Sequence, residues 1–228
     1  MNFLSIVLGF LPGVAWLFFF LQEDKIHPEP KRLIVYAFVV GGLITIPTLA
    51  TEFIFQDLIT AFNVRSPVLP FLGLAILEEI FKFLSVYWTV RWSREFNEPI
   101  DAMIYMTTAA LGFATVENIA VLGNFVGGPL AEFLQSGVST ASLRFIGATL
   151  LHALAGGLIG YYWALGILKN KVSAYLGLGL FLAILVHYVF NLLILRFENE
   201  NLLYPSIFLV FVAFFILSDF EKLKGVVQ

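Results

Sequence analysis

The hexapeptide Leu77-Glu78-Glu79-Ile80-Phe81-Lys82 puts two adjacent carboxylates and an ammonium in the middle of an apolar run. That run, Pro67 to Trp92, is otherwise almost free of charge. At helical spacing Glu78 and Lys82 are i,i+4 neighbours and Glu79 and Lys82 are i,i+3. Ala75, Glu78, Glu79, Lys82 and Ser85 then share one broad face. Each ionised group costs roughly 2.5–3.5 kcal/mol at the centre of a membrane helix, so the trio costs on the order of 8–10 kcal/mol before any pairing. One ion pair offsets part of this and leaves a carboxylate over. A structural ion pair between helices is the plainer account; the surplus carboxylate points to chemistry.

Three further apolar runs carry polar groups. Glu117 lies in Phe113-Ala114-Thr115-Val116-Glu117-Asn118. His152 is followed by Gly156 and Gly160 and preceded by Ala148, small residues at steps of four that let helices approach closely. His187 and Asn191 are one turn apart and share a face. Taken singly, each is ordinary interhelical glue. Arg144 and Asp101, near the ends of their runs, read as interfacial anchors.

Neutral imidazole and carboxylate are the ligands of a hydrolytic zinc site, where three protein ligands leave a position for water. A further Glu can take the proton of that water. His152, His187, Glu117 and one of Glu78 and Glu79 supply those parts. Lys82 could neutralise one carboxylate or steady an oxyanion, and Asn191 could donate to that oxyanion or orient a ligand. A metal-free glutamate mechanism uses the same groups. Other hydrolytic classes find no support. There is no cysteine, no Gly-x-Ser-x-Gly, no pair of histidines one turn apart around a Glu, and no pair of aspartates at helix centres.

These groups need helices that hold them at one level. Of the 228 residues, 60% are hydrophobic and only 13% charged, where a soluble domain carries about a quarter charged. The expectation is one all-α, polytopic membrane domain over residues 1–228, with the bilayer and not nucleic acid as its surroundings. Seven runs are long enough to cross a core of roughly 30 Å, at about 3–21, 33–50, 68–91, 100–124, 143–168, 173–196 and 203–220. The first run lacks a basic lead-in and a small-residue cleavage site and reads as a retained helix. Lys25, Lys31, Arg32, Arg91, Arg94, Lys169, Lys171, Lys222 and Lys224 fall in one set of loops, against Arg65, Arg144 and Arg196 in the other. The positive-inside rule then puts the N-terminus outside and the C-terminus in the cytoplasm. Counted from the outer ends, Glu78, Glu79, Glu117, His152 and His187 all fall roughly 10–17 Å deep at 1.5 Å per residue. Thr51–Ser66 has an amphipathic pattern suited to the interface. Asn124–Thr140 reads as a loop with a short helix. Either segment could cover a site open to the outer face.

Four ordered motifs, Glu78-Glu79-x-x-Lys82, Phe113-x-x-x-Glu117-Asn118, His152 with Gly156 and Gly160, and His187-x-x-x-Asn191, resemble the PrsW family of intramembrane proteases. Asp101 and Tyr105, ahead of Gly112, look like the lead-in to its second motif. The resemblance covers roughly residues 67–195. It implies a prokaryotic multi-pass enzyme of the cell membrane. The implied substrate is a single-span protein such as a membrane-anchored anti-sigma factor, cut at the first site under envelope stress. It also implies a distant tie to the type II CAAX-processing and bacteriocin-immunity proteases. From that wider pattern the chain departs in Lys82, one position early in place of Arg, and in Glu117, where a His would stand. By that analogy Glu78 or Glu79 is the base and His152, His187 and Glu117 are metal ligands. Two other classes use similar residues. Buried Glu, His and Lys also form the proton relays of transporters, although no two-fold repeat or matching pair of broken helices is present. A non-catalytic immunity or scaffold protein would keep the fold without turnover.

Overall fold

The computed structural model describes residues 3–25, 27–66, 68–123, 130–197 and 203–224, with backbone alone over 130–136. Those residues are all-α. The helices are α1 (Phe3–Phe20), α2 (Lys31–Leu43), α3 (Thr45–Ala61), α4 (Leu69–Val90), α5 (Pro99–Gly123), α6 (Leu130–Ile146), α7 (Ala148–Leu168), α8 (Val172–Phe197) and α9 (Leu203–Lys224). A short 3₁₀ turn, Leu21–Asp24, extends α1.

Local chemistry sets the boundaries. Pro47 has no N–H to give the Leu43 carbonyl, and its ring crowds that carbonyl, so α2 stops and α3 restarts on either side of Ile44. The hydroxyls of Thr48 and Thr51 turn back onto the carbonyls of Ile44 (2.7 Å) and Thr48 (2.7 Å). Asn63 adopts a left-handed φ of 49° just past the end of α3, and Val64 N–H donates to Ile59 O at 3.0 Å. This C-cap closes the last turn. Asn170, with φ 53° and Lys171 N–H donating to Gly166 O at 2.9 Å, ends α7 in the same way. Pro70 opens the first turn of α4, and Ser66 Oγ accepts the Leu69 N–H at 3.2 Å. At the start of α5, Asp101 accepts the N–H groups of Asn97 (2.8 Å) and Glu98 (2.7 Å). Asp101 is thus a helix-start cap, not a surface anchor.

Two boundaries differ from the expectation. The amphipathic stretch from Thr51 is the later part of α3, continuous with the end of the second apolar run. The fifth run, expected from 143, is divided at Gly147 (φ −95°, ψ −99°). Ahead of the break, α6 already covers 130–146; residues 124–129 of the expected loop lie outside those described.

The core is built around α5, whose side chains are buried almost without interruption from Ile100 to Thr115. It packs against α1, α2 and α7. The α5–α7 contact is close because Gly156 and Gly160 face it. A Cβ at Gly156 would stand 2.8 Å from Met106 O, and one at Gly160 2.5 Å from Ala102 O. These are the small residues the sequence places at steps of four beyond His152. Outward-facing Phe18, Phe53, Phe181, Phe211 and Phe214 are largely exposed, a surface that only hydrocarbon solvates without penalty.

Among the described residues six helical stretches are long and apolar enough to cross a bilayer: Phe3–Asp24, Lys31–Ala61, Pro99–Gly123, Gly137–Leu168, Val172–Phe197 and Leu203–Lys224. Six of the seven expected runs correspond to these stretches. The third expected span, α4, is 22 residues long, about 33 Å, but it carries Glu78, Glu79 and Lys82 together. The helix that fails on apolarity is the one that carries the charge.

Candidate active site

The charged face of α4 is turned inward. Glu79 and Lys82 are fully buried, Glu78 nearly so, and Ser85 Oγ donates to Lys82 O at 2.7 Å on the same face. Lys82 Nζ lies 2.7 Å from Glu79 Oε1 and 3.4 Å from Glu78 Oε2. It sits over the Phe113 ring of α5, 4.7 Å from the centroid.

His152 of α7 and His187 of α8 meet this face, both buried, with their rings edge to face and centroids 5.3 Å apart. Lys82 Nζ donates to His152 Nδ1 at 2.7 Å. That places the His152 proton on Nε2, which donates to Glu117 Oε2 of α5 at 2.8 Å. His187 Nδ1 donates to Glu79 Oε1 at 2.7 Å, leaving the Nε2 lone pair free of that bond. Each imidazole is therefore oriented by a carboxylate on one nitrogen and presents a lone pair on the other, the arrangement found around metal-bound histidines. Both lone-pair nitrogens, His152 Nδ1 and His187 Nε2, lie 3.9 Å from Glu78 Oε2.

One ligand atom from each of Glu78, Glu79, His152 and His187 falls within 4.8 Å of the others, a group capable of holding a metal ion. The buried Oε2 atoms of Glu78 and Glu79 have no hydrogen-bond donor among the described residues. Two imidazoles and two carboxylates, with two carboxylate oxygens that lack hydrogen-bond donors, fit a divalent cation. The ammonium of Lys82, among the same acceptors, shows that the pocket is shaped around positive charge.

The remaining expected residues are placed as follows. Glu117 lies outside the group of four, held by His152 and by Arg144 Nη2 at 3.4 Å. Asn191 is half-buried one turn beyond His187 and lines a neighbouring cavity; it has no hydrogen-bond partner among the described residues. Tyr105 is far from the cluster and donates to Glu29.

Two residues assigned to the periphery belong near the site. Arg144, at the end of α6, also donates through Nε to Asn118 Oδ1, and Asn118 in turn donates to Thr149 Oγ1 of α7 at 2.9 Å. The break at Gly147 is thereby tied to both helices that carry Glu117 and His152. Glu52 of α3 lies within electrostatic range of Glu78, Glu117, Lys82 and His187. It precedes by one turn Phe55, whose ring fills the space beside Gly73 of α4. Single-sequence reading pairs charges only along one helix, so a partner on another helix leaves no trace in it.

Comparison with known proteins places the chain. The model of the PrsW family intramembrane metalloproteases matches residues 29–218. The chain belongs to the PrsW family. It is 31% identical to the protease PrsW of Geobacillus kaustophilus, over 95% of this chain and 91% of that one. Against the protease PrsW of Oceanobacillus iheyensis it is 31% identical over 86% and 85% of the two chains. Against that of Bacillus subtilis it is 28% identical over 98% and 97%. No solved structure matches. Membership and the six apolar stretches make this a multi-pass protein of the bacterial plasma membrane, and the buried Glu-Glu-His-His cluster is consistent with the active site of such a metalloprotease.

Proposed function

We propose that the enzyme is a zinc endopeptidase that cuts a single-span membrane protein near its extracytoplasmic end, a membrane-anchored anti-sigma factor being the substrate class. The observation that carries the reading is the meeting of Glu78, Glu79, His152 and His187, from three helices, within 4.8 Å. We take α4 as a seventh span, with the N-terminus outside, which puts the cluster in the outer half of the bilayer. The paired charges of α4 face the interior, so the lipid meets only its apolar side.

In this reading His152 Nδ1, His187 Nε2 and a carboxylate oxygen of Glu78 or Glu79 would hold the ion. When bound, the ion would supply Lewis acidity and lower the pKa of a water. The other carboxylate of the pair would serve as proton acceptor and then as proton donor to the leaving amine. Glu117 orients His152 through Nε2 in place of binding the ion itself, as Glu79 orients His187 through Nδ1. Lys82 neutralises part of the surplus negative charge when the ion is absent and is placed to donate to a developing oxyanion. Asn191, with an uncommitted amide, is the second candidate donor.

Elemental analysis of purified protein tests the reading. One zinc per chain in the parent and none in His152→Ala or His187→Ala supports it. Full peptidase activity in Glu78→Gln, Glu79→Gln and His187→Ala, or in strong chelator, removes it.

A further inference from the structure

Beside Asn191 and the Arg144–Glu117 pair is a cavity of about 420 Å³, of which the proposed chemistry uses Asn191 alone. It lies where the α6–α7 break meets α8 and the start of α9. Its walls are mainly apolar, with Val121, Leu143, Phe190 and Ile194 among them, and Arg144 and Asn191 line it together with the hydroxyl residues Thr140 and Ser206. Volume and lining suit a small apolar group with a few polar fixing points.

We infer that this cavity is the specificity pocket of the peptidase. It takes one apolar side chain of the unwound substrate next to the bond to be cut, and Arg144 and Asn191 hold the flanking backbone carbonyls. The inference rests on the proposed peptidase function and names the substrate feature that its site reads.

Three observations lead to that occupant. First, two of the residues that line the cavity lead to the cluster. Arg144 lines it and binds Glu117, which binds His152; Asn191 lines it one turn beyond His187. A group seated there lies against the side chain that holds Glu117 and one helical turn from His187. Second, the polar groups that enter it are donors with capacity to spare. Asn191 has no hydrogen-bond partner among the described residues, and the Glu117 and Asn118 contacts use only part of the Arg144 guanidinium. Third, a membrane-spanning helix can be hydrolysed only after local unwinding, which strips its carbonyls of their partners in a medium with no water to replace them. An apolar pocket flanked by donors with N–H groups to spare matches an unwound apolar segment in both respects. A lipid acyl chain would satisfy the walls and leave those N–H groups idle.

The test uses the full-length protein in detergent and a set of poly-leucine single-span peptides that differ only at one residue, Ala, Leu or Phe, beside a fixed cleavable bond. Cleavage is read by mass spectrometry as the ratio of kcat/KM values. The parent should prefer Leu or Phe over Ala. Ile194→Trp, which fills the cavity, should lower that preference about 10-fold. Ile194→Ala, which enlarges it, should move the preference toward Phe. An unchanged ratio in the variants that fold overturns the pocket. In parallel, a photoreactive leucine at the varied position is crosslinked to Glu79→Gln protein. Crosslinks on Leu143 and Ile194 support the pocket. Crosslinks elsewhere, or co-purifying lipid in the cavity that the peptide does not displace, overturn it. If the parent cuts no peptide while crosslinks still fall in the cavity, the peptidase reading fails and the binding site stands.

Discussion

Two groups of buried carboxylates lie at opposite ends of the same central helix, and they are built differently. Asp101 and Glu117 are both on α5, roughly 24 Å apart along its axis at 1.5 Å per residue. Around Asp101 gather Asp24, Glu29 and Tyr105. Asp101 is occupied by two backbone N–H groups, and Glu29 accepts from Tyr105. Exposed His27 pairs with Glu98 at 3.0 Å on the rim. Among the described residues this group has acids and hydrogen-bond donors but no buried cation. Burial, with the neighbouring Asp101 and Asp24 charges adding to it, pushes the Glu29 carboxyl up to about 8, so it keeps its proton near neutrality. Around Glu117, by contrast, the carboxylates meet two imidazoles, Lys82 and Arg144. Only this second group brings metal-ligating atoms together among the described residues. A buried acid that gains a proton can serve as structural glue. A buried acid offered cations and lone pairs is set up to handle charge. The decisive difference is the company each acid keeps.

The comparison breaks if the second group is also merely structural. Glu79→Gln should lower turnover by about 10²–10⁴, the usual worth of a general base or its equivalent, with the thermal midpoint in detergent holding. Comparable turnover in the variant would put the two groups on the same footing. Arg144→Ala removes the link that joins Glu117, Asn118 and the α6–α7 break. It should cost about 10–100-fold, like the loss of an outer-shell partner, with Arg144→Lys recovering part of the loss. An Arg144→Ala enzyme with parental kcat and KM would make that link a packing detail.

Stability reads the other side. Gly160→Leu drives a side chain into Ala102 and Met103 of α5 and should cost about 1–3 kcal/mol from overpacking, seen as a lowered unfolding midpoint. An unchanged midpoint would mean that the close α5–α7 approach does not hold the two site helices.

The smallest effect belongs to Glu29. Its folded value near 8 stands above the ordinary 4.5. Folding stability is therefore greatest below pH 4.5, falls as pH rises toward 8 while the unfolded chain ionises first, and levels off beyond. Glu29→Gln should flatten that decline without altering turnover measured at a fixed pH. A parallel pH dependence in both proteins would remove Glu29 as its source.

The residues that carry the site were legible one helix at a time. Glu78 and Lys82 pair along α4 by spacing alone. The glycines after His152 announce a close helix contact, and a common depth for Glu79, Glu117, His152 and His187 follows from counting along their helices. Residue type and helical period suffice for this because both are local properties. Boundaries at Pro47 and Gly147 were harder. A broken helix and a continuous one share the same apolar composition, and the wide apolar runs hid both breaks.

What tertiary structure alone decided is which groups touch. It put Arg144 onto Glu117, turned Nδ1 of His152 and Nε2 of His187 toward Glu78, and brought Glu52 within range from a segment that reads as interfacial. It also set Glu117 against Nε2 of His152, outside the group of four. Those outcomes depend on the rotation and crossing of α4, α5, α7 and α8 about one another, set by packing at residues such as Gly156 and Gly160. A contact between helices is a product of many side-chain volumes, and no window along a single chain contains it.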